Sequence, residues 1–276
     1  MKFLIGFDCL NYPVYMSGGM TVLKKLAKDL IQLGQKVYVI NPQFNVEGSI
    51  LVSKEQVKNI GLDDLVTIYP EIIPDNPFNS KNVVRWILYN TKPEIEKNWS
   101  PTDVYFYFNE VFTTTRNEDR KLLTCIDFNL DLFYDKNQDR NGFCHIARYH
   151  KPNIPDFLLK DRYNSEDLFQ GHMMYGWSWL VDKLNTKKYF ITYDKATYYS
   201  AIAAMCGCTS IILTDTDKKD FDKEKIITHK YGIAYGFDEV EESIKTRNLL
   251  KPYLKELDGT LLNTVKKFIS FWESKV

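Results

Sequence analysis

The chain has 276 residues, of which 36 are basic and 36 acidic, so its formal net charge is zero. A neutral chain lacks the electrostatic footprint of a nucleic-acid binder. With 26% charged and 44% hydrophobic residues it has the make-up of a folded protein, and no window reaches the roughly 20 apolar residues of a membrane span.

Residues 2–7 (KFLIGF) read as a buried strand, too short for a signal peptide and followed by an acid, Asp8. A loop ending in Gly18-Gly19 leads into a helix with apolar residues at Met20, Leu23, Ala27, Leu30, Ile31 and Leu33, stopped by Gly34. Residues 36–40 (KVYVI) form a second strand, closed by Asn41-Pro42. Strand, glycine loop, helix, strand is a βαβ unit and predicts a parallel sheet. LVTIY (65–69) is a further strand, leading into Pro70-Glu71 and a loop punctuated by Pro74 and Pro77. Asn79 or Ser80 is placed to cap a helix through Val83, Val84, Trp86, Ile87 and Leu88, ended before Pro93. DVYFYF (103–108) is another strand, followed by Asn109-Glu110.

The alternation restarts in the second half. Strands are expected at 130–134 and 143–147, with the polar turn KNQDRNG between them. Ser165, with Glu166 and Asp167 behind it, opens a helix to about Leu184. KYFIT (188–192) is a strand with the polar exit Tyr193-Asp194; a helix over 197–205 and a strand over 209–213 follow. Two amphipathic helices finish the chain, the last around 261–272. The pattern predicts two α/β halves, residues 1–120 and 121–276, with the last helix able to pack back on the first.

In open α/β sheets, ligands gather at the carboxyl ends of strands. Three such places carry informative residues. Gly18 and Gly19 let a backbone approach a ligand at a helix start, or simply shape a corner. Asp194, Thr197, Tyr198 and Ser200 place an acid and hydroxyls at the start of a helix, which suits phosphate and sugar hydroxyls, or equally serves as an N-cap. Arg148 and Lys151, just past the strand FCHIA, can neutralise a diphosphate, or stand as a solvated charged loop. Glu71 and Glu110 are strand-end acids with the chemistry of a proton acceptor, and equally surface carboxylates.

His172 and the Met-Met-Tyr-Trp-Trp stretch around it read as packed core. Cys206-Gly207-Cys208 reads as a tight helix-to-strand turn between small side chains. The five cysteines form no paired framework, and the four histidines show no metal-ligand spacing. A reducing, cytoplasmic setting and no bound metal are the resulting expectations.

Several ordered motifs go beyond these local readings. The pattern GG-x3-L-x2-LA-x2-L-x2-LG-x2-V-x-V runs from Gly18 to Val39; Tyr69-Pro70-Glu71 leads to Asn76-Pro77 and Val83-Val84-Arg85-Trp86. YDKATYYSAIAAMCGCTSII spans Tyr193–Ile212, and YGIAYG spans Tyr231–Gly236. Taken together, these segments resemble the two-domain nucleotide-sugar glycosyltransferases of GT-B fold, of the microbial glycan-assembly type. The resemblance implies two Rossmann-like domains facing across a cleft, in a compact version. It implies a glycosyltransferase, hexosyl- or pentosyl-, moving a sugar from a UDP- or GDP-sugar to a glycan acceptor, with no cofactor beyond that donor and no metal.

By position, the resemblance puts Arg148 and Lys151 on the diphosphate, with Thr197, Tyr198 and Ser200 adding donors. Asp194 would face ribose or sugar, and Gly18 and Gly19 would border the cleft. Many retaining members carry two glutamates eight positions apart, where this chain has Lys195 and Ala203. An inverting mechanism would take its base from the first half, Glu71 or Glu110. The missing glutamates leave a non-catalytic nucleotide- or glycan-binding module as the alternative. A Rossmann oxidoreductase fits less well, because Asn41 stands where an acid would end the second strand.

Overall fold

Seven strands of the N-terminal part form one parallel sheet, and five strands of the C-terminal part form another. The computed structural model describes residues 1–6, 18–61, 63–115, 120–146, 164–213 and 226–276. The chain divides into two compact units, Met1–Asp127 with Asp258–Val276, and Phe128–Leu257.

The first unit contains β1 (Lys2–Ile5), α1 (Gly18–Gln32), β2 (Lys36–Val39), β3 (Ile50–Leu51), α2 (Lys54–Val57), β4 (Leu65–Pro70), β5 (Asn82–Ile87), α3 (Pro93–Glu96), β6 (Val104–Tyr107) and β7 (Lys121–Leu122). The sheet order is β3-β2-β1-β4-β5-β6-β7. All six residues of β4 are buried, as a central parallel strand covered on both faces requires. Alternation sorts the faces: Phe3 and Ile5 join the cluster under α1, while Leu4 joins Tyr38, Val57 and Leu65 on the other side. Helix α1 buries Leu23, Leu26, Ala27 and Leu30 at helical spacing. It stops where Gly34 takes a left-handed φ of 77° and the Gln35 N–H reaches back to the Leu30 carbonyl at 2.9 Å.

The helix expected over 80–88 is a strand. Ser80 does not cap; its hydroxyl meets the Thr67 hydroxyl at 2.6 Å, and Asn79 is left-handed (φ 50°). Val84 and Trp86 face the α1 side while Arg85 is buried against Asp103 at 2.7 Å, so β5 is covered on both faces.

The second unit contains β8 (Asn141–His145), β9 (Glu166–Asp167), α4 (Phe169–Thr186), β10 (Lys187–Thr192), α5 (Tyr198–Met205), β11 (Thr209–Ile212), β12 (Ile233–Tyr235) and α6 (Val240–Thr246). The order β12-β11-β10-β8-β9 is parallel throughout. The last helix, α7 (Leu250–Glu273), begins in this unit and from Asp258 onward belongs to the first. There it buries Val265, Phe268, Ile269 and Trp272, with Phe268 edge-on to Phe106 at 4.8 Å.

Three expectations change in this half. Residues 130–134 form a turn, not a strand: Asn129 is left-handed and its carbonyl accepts the Leu132 and Phe133 N–H groups. Ser165 does not open a helix; Glu166 and Asp167 pair with Cys144 and His145, and the helix starts at Phe169. Gly176 (φ 77°) breaks that helix, which leaves Met174 and Tyr175 exposed and not in the core. His172 is packed, as expected, between Trp177 and Tyr199. The Cys206-Gly207-Cys208 corner is also as expected: both thiols are buried, and Gly207 has φ 89°.

Candidate functional site

Both sheets reverse their strand order at one point, between β1 and β4 in the first unit and between β8 and β10 in the second. In open parallel sheets the carboxyl edge at such a switch point is where ligands gather.

In the second unit the exit of β10 carries the acid and hydroxyls singled out in the sequence. Asp194 is half-buried, and its Oδ1 accepts the Ala196 N–H at 3.2 Å, turning the chain toward α5. Thr197 is the N-cap of α5, its hydroxyl accepting the Tyr199 N–H at 3.4 Å. Tyr198 donates its hydroxyl to the Phe128 carbonyl at 3.1 Å and packs beside Phe128 and Phe133. Ser200 is fully buried in the first turn of α5, and its hydroxyl has no hydrogen-bond partner among the described residues. Asp194, Thr197, Tyr198 and Ser200 thus share one turn. Arg148 and Lys151 lie outside the described residues.

Two histidines that the sequence reading passed over hold this edge in place. His229 is buried; its Nε2–H donates to the Thr197 carbonyl at 2.9 Å, and its Nδ1 lies 2.7 Å from the Tyr235 hydroxyl. Burial pushes its pKa down to about 4, so the ring is neutral at pH 7. The Tyr235 hydroxyl also reaches the Lys195 carbonyl at 3.0 Å, and the Tyr235 N–H is held by Glu239 Oε2 at 3.0 Å. The end of β12 is therefore stitched to the 195–197 turn. His145, the last residue of β8, meets Ser165 Oγ at 2.9 Å; burial lowers its pKa, with the Asp167 carboxylate acting against that. These bonds run to backbone carbonyls or to residues distant in sequence, and the strand expected over 143–147 put His145 in its middle and not at its end.

In the first unit, Glu71 directly follows β4. It is 8% exposed, and its Oε2 accepts the Leu88 N–H at 3.0 Å. Burial pushes its carboxyl up to about 7, with that hydrogen bond opposing, so proton gain and loss are balanced near neutrality. Glu110, by contrast, is exposed in the turn after β6. Gly18 and Gly19 are the first residues of α1; a Cβ at Gly18 would meet nothing among the described residues, so packing there does not dictate a glycine.

The loop after β4 is tightly held. Tyr69 donates its hydroxyl to Asn76 Oδ1 (2.9 Å) and accepts the Phe78 N–H (3.3 Å). Arg85, beside Asp103, donates to the Ile73 and Asp75 carbonyls at 3.0 and 2.8 Å, and Trp99 Nε1 donates to Ile73 as well. Gly6, just beyond β1, is required by this packing, since a Cβ there would sit 2.6 Å from the Tyr69 ring. Among the described residues no group of three or more His, Cys, Asp or Glu could hold a metal ion, and no helix is long and apolar enough to cross a membrane.

No protein-family model and no curated protein sequence matches the chain. Among solved structures it is similar to that of AviGT4, a glycosyltransferase involved in avilamycin A biosynthesis, with a TM-score of 0.54 at 10% identity. The match covers 99% of this chain and 96% of that one. The chain shares the fold of that structure. At this identity the likeness speaks for the backbone, and the chemistry rests on the side chains above.

Proposed function

We propose that this protein is a metal-independent glycosyltransferase of GT-B type. It would move a hexosyl or pentosyl group from a UDP- or GDP-sugar to a glycan acceptor in the cytoplasm. The observation that carries the reading is the segment from Thr192 to Ser200. It sets an acid and a capped helix start at the switch point of a parallel sheet, in a chain that follows a glycosyltransferase backbone over 99% of its length.

On this reading the donor diphosphate lies against the start of α5, where the helix dipole favours negative charge. Arg148 and Lys151, in the stretch after β8, supply the cations that a metal supplies elsewhere. Asp194 accepts from ribose or sugar hydroxyls. His229 and Tyr235 touch no substrate and act by fixing the turn. Ala203 is fully buried, so the position of the second family glutamate offers no functional group.

Single displacement follows. Glu71 takes the acceptor hydroxyl proton as that oxygen bonds the anomeric carbon, and the bond to the diphosphate oxygen breaks with its electron pair on the leaving group. Glu110 is the other candidate base.

The test is a thermal-shift panel of UDP, GDP and their sugars, followed by assay of donor hydrolysis and transfer. A nucleotide at 100 Kd adds about 2.7 kcal/mol of stability. If none of them raises the melting temperature, the reading fails. Binding with no turnover under any acceptor would assign the chain to a non-catalytic module.

A further inference from the structure

The chain passes between its two units twice, from Asp127 to Phe128 and from Leu257 to Asp258. On the side of the first unit each crossing ends in an aspartate, and a lysine of α1 holds each aspartate. Lys28 Nζ stands 3.2 Å from Asp127 Oδ2, and Lys25 Nζ stands 3.3 Å from Asp258 Oδ1. We propose that the two crossings form a single joint, latched by Lys25 and Lys28, with Gly259 as the point at which α7 gives way. The inference goes beyond the glycosyltransferase reading and does not depend on it.

The latch is built on one face of α1, where positions three and four apart lie side by side. Lys25 also bonds Asp29, one turn further along, at 2.7 Å, and the side chain of Asp29 is only 3% exposed. Burial raises the Asp29 pKa against the pull of Lys25, and repulsion from Asp258 and Asp127 adds to the rise. The three carboxylates therefore belong to one cluster. Asp29 fixes the Lys25 ammonium from inside the unit, and the more exposed Asp127 and Asp258 are what the lysines hold at its surface.

The crossing segments are also fastened to each other, once within each unit. In the first, the Thr264 hydroxyl shares its proton between the Leu261 and Thr124 carbonyls (2.7 and 2.9 Å) and accepts the Thr124 N–H at 3.1 Å. In the second, Lys251 Nζ donates to the Leu130 carbonyl at 2.6 Å. Both crossings lie between these fastenings, so a shift of one is passed to the other. Gly259 lies in the same interval, one residue past Asp258 and inside a continuous helix. Glycine is the weakest helix former after proline. A Cβ at Gly259 would meet nothing among the described residues, so packing there does not require a glycine. Its effect is to loosen α7 where the helix leaves one unit for the other. Salt weakens ion pairs at a surface, so the stiffness of the joint follows ionic strength.

The experiment reads amide hydrogen exchange of the full chain by mass spectrometry, over peptides 122–131 and 252–262. Asp127→Asn/Asp258→Asn cuts both ion pairs while leaving Lys25 on Asp29, so no charge is buried without a partner. Exchange should quicken about three- to tenfold over both peptides, as the loss of two surface ion pairs allows, while β4, β5, β10 and β11 keep their wild-type rates. Raising salt from about 0.05 to about 0.5 M should quicken the same peptides in the wild type and leave the double variant unchanged. Gly259→Ala should do the opposite, slowing exchange about fivefold over 252–262 and, through the shared fastenings, slowing 122–131 as well. A change confined to one peptide would make the crossings independent linkers and overturn the joint. Unchanged exchange in the double variant, or equally faster exchange throughout the chain, would overturn the latch. Gly259→Ala without slowing would overturn the role of the glycine.

Discussion

On the proposed mechanism, Glu71 gives stability and catalysis opposite pH dependences, and the substitution Glu71→Gln separates them. Its carboxyl rises from an ordinary 4.5 to about 7 because burial penalises the charged form. A raised carboxyl pKa means that the folded state holds its proton more tightly than the unfolded chain does. The associated stability is complete below pH 4.5 and is lost as pH climbs through 7. At about 1.4 kcal/mol for each pKa unit, the loss amounts to about 3 kcal/mol. Glutamine keeps an oxygen for the Leu88 N–H and cannot ionise, so the variant escapes the loss. Urea unfolding of both proteins from pH 4.5 to 8.5 measures it: the wild type should fall relative to the variant by about 3 kcal/mol across the range. Activity runs the other way. A general base must be deprotonated, so kcat/KM should rise through a midpoint near 7, and Glu71→Gln should lose about 10²–10⁴-fold. Parallel stability curves for the two proteins would refute the buried, raised carboxyl. The stability signature without loss of activity would make Glu71 a structural acid and move the base to Glu110.

Two further substitutions probe the second unit. Tyr235→Phe keeps the ring but removes the hydroxyl that joins His229 to the Lys195 carbonyl. One hydrogen bond is worth about 0.5–1.5 kcal/mol, so donor KM should rise about three- to tenfold with kcat nearly unchanged, as steady-state kinetics would show; equal falls in kcat and melting temperature would make the contact merely structural. Gly207→Ala places a Cβ 2.3 Å from Asp135 and 2.4 Å from Arg140 at a φ of 89°. Left-handed strain alone costs about 1–3 kcal/mol, so denaturant unfolding should show a loss at the upper end of that range or beyond, and a loss under 0.5 kcal/mol would refute the packing of this corner.

What could be read from the sequence depended on whether a residue's partner was near it in the chain. The first βαβ segment was legible because α1 repeats its apolar residues at helical spacing and Gly34 marks its stop. The cap at Thr197 was legible for the same reason, since its partner is Tyr199. Strand β5 misled because Val83, Val84, Trp86 and Ile87 satisfy helical spacing as well as a doubly buried strand. The discriminating residue is Arg85. A charge in the middle of an apolar run argues for one wet face until Asp103, eighteen positions away, is seen to neutralise it. Strand β9 is two residues long, and its pairing with Cys144 and His145 leaves no local pattern.

The candidate site divides along the same line. Strand-end acids can be found from sequence, and Glu71 and Asp194 stand where acids at a carboxyl edge should. What distinguishes Glu71 from Glu110 is burial, and burial is decided by packing that brings Leu88 over one and leaves the other in solvent. His229 was invisible for a sharper reason. Its partners are the carbonyl of Thr197 and, through Tyr235, the carbonyl of Lys195, and every residue type presents the same carbonyl. Its buried neutral imidazole spends its one N–H on the Thr197 backbone carbonyl. Its hydrogen bonds tie the end of β12 to the turn that carries Asp194 at the end of β10.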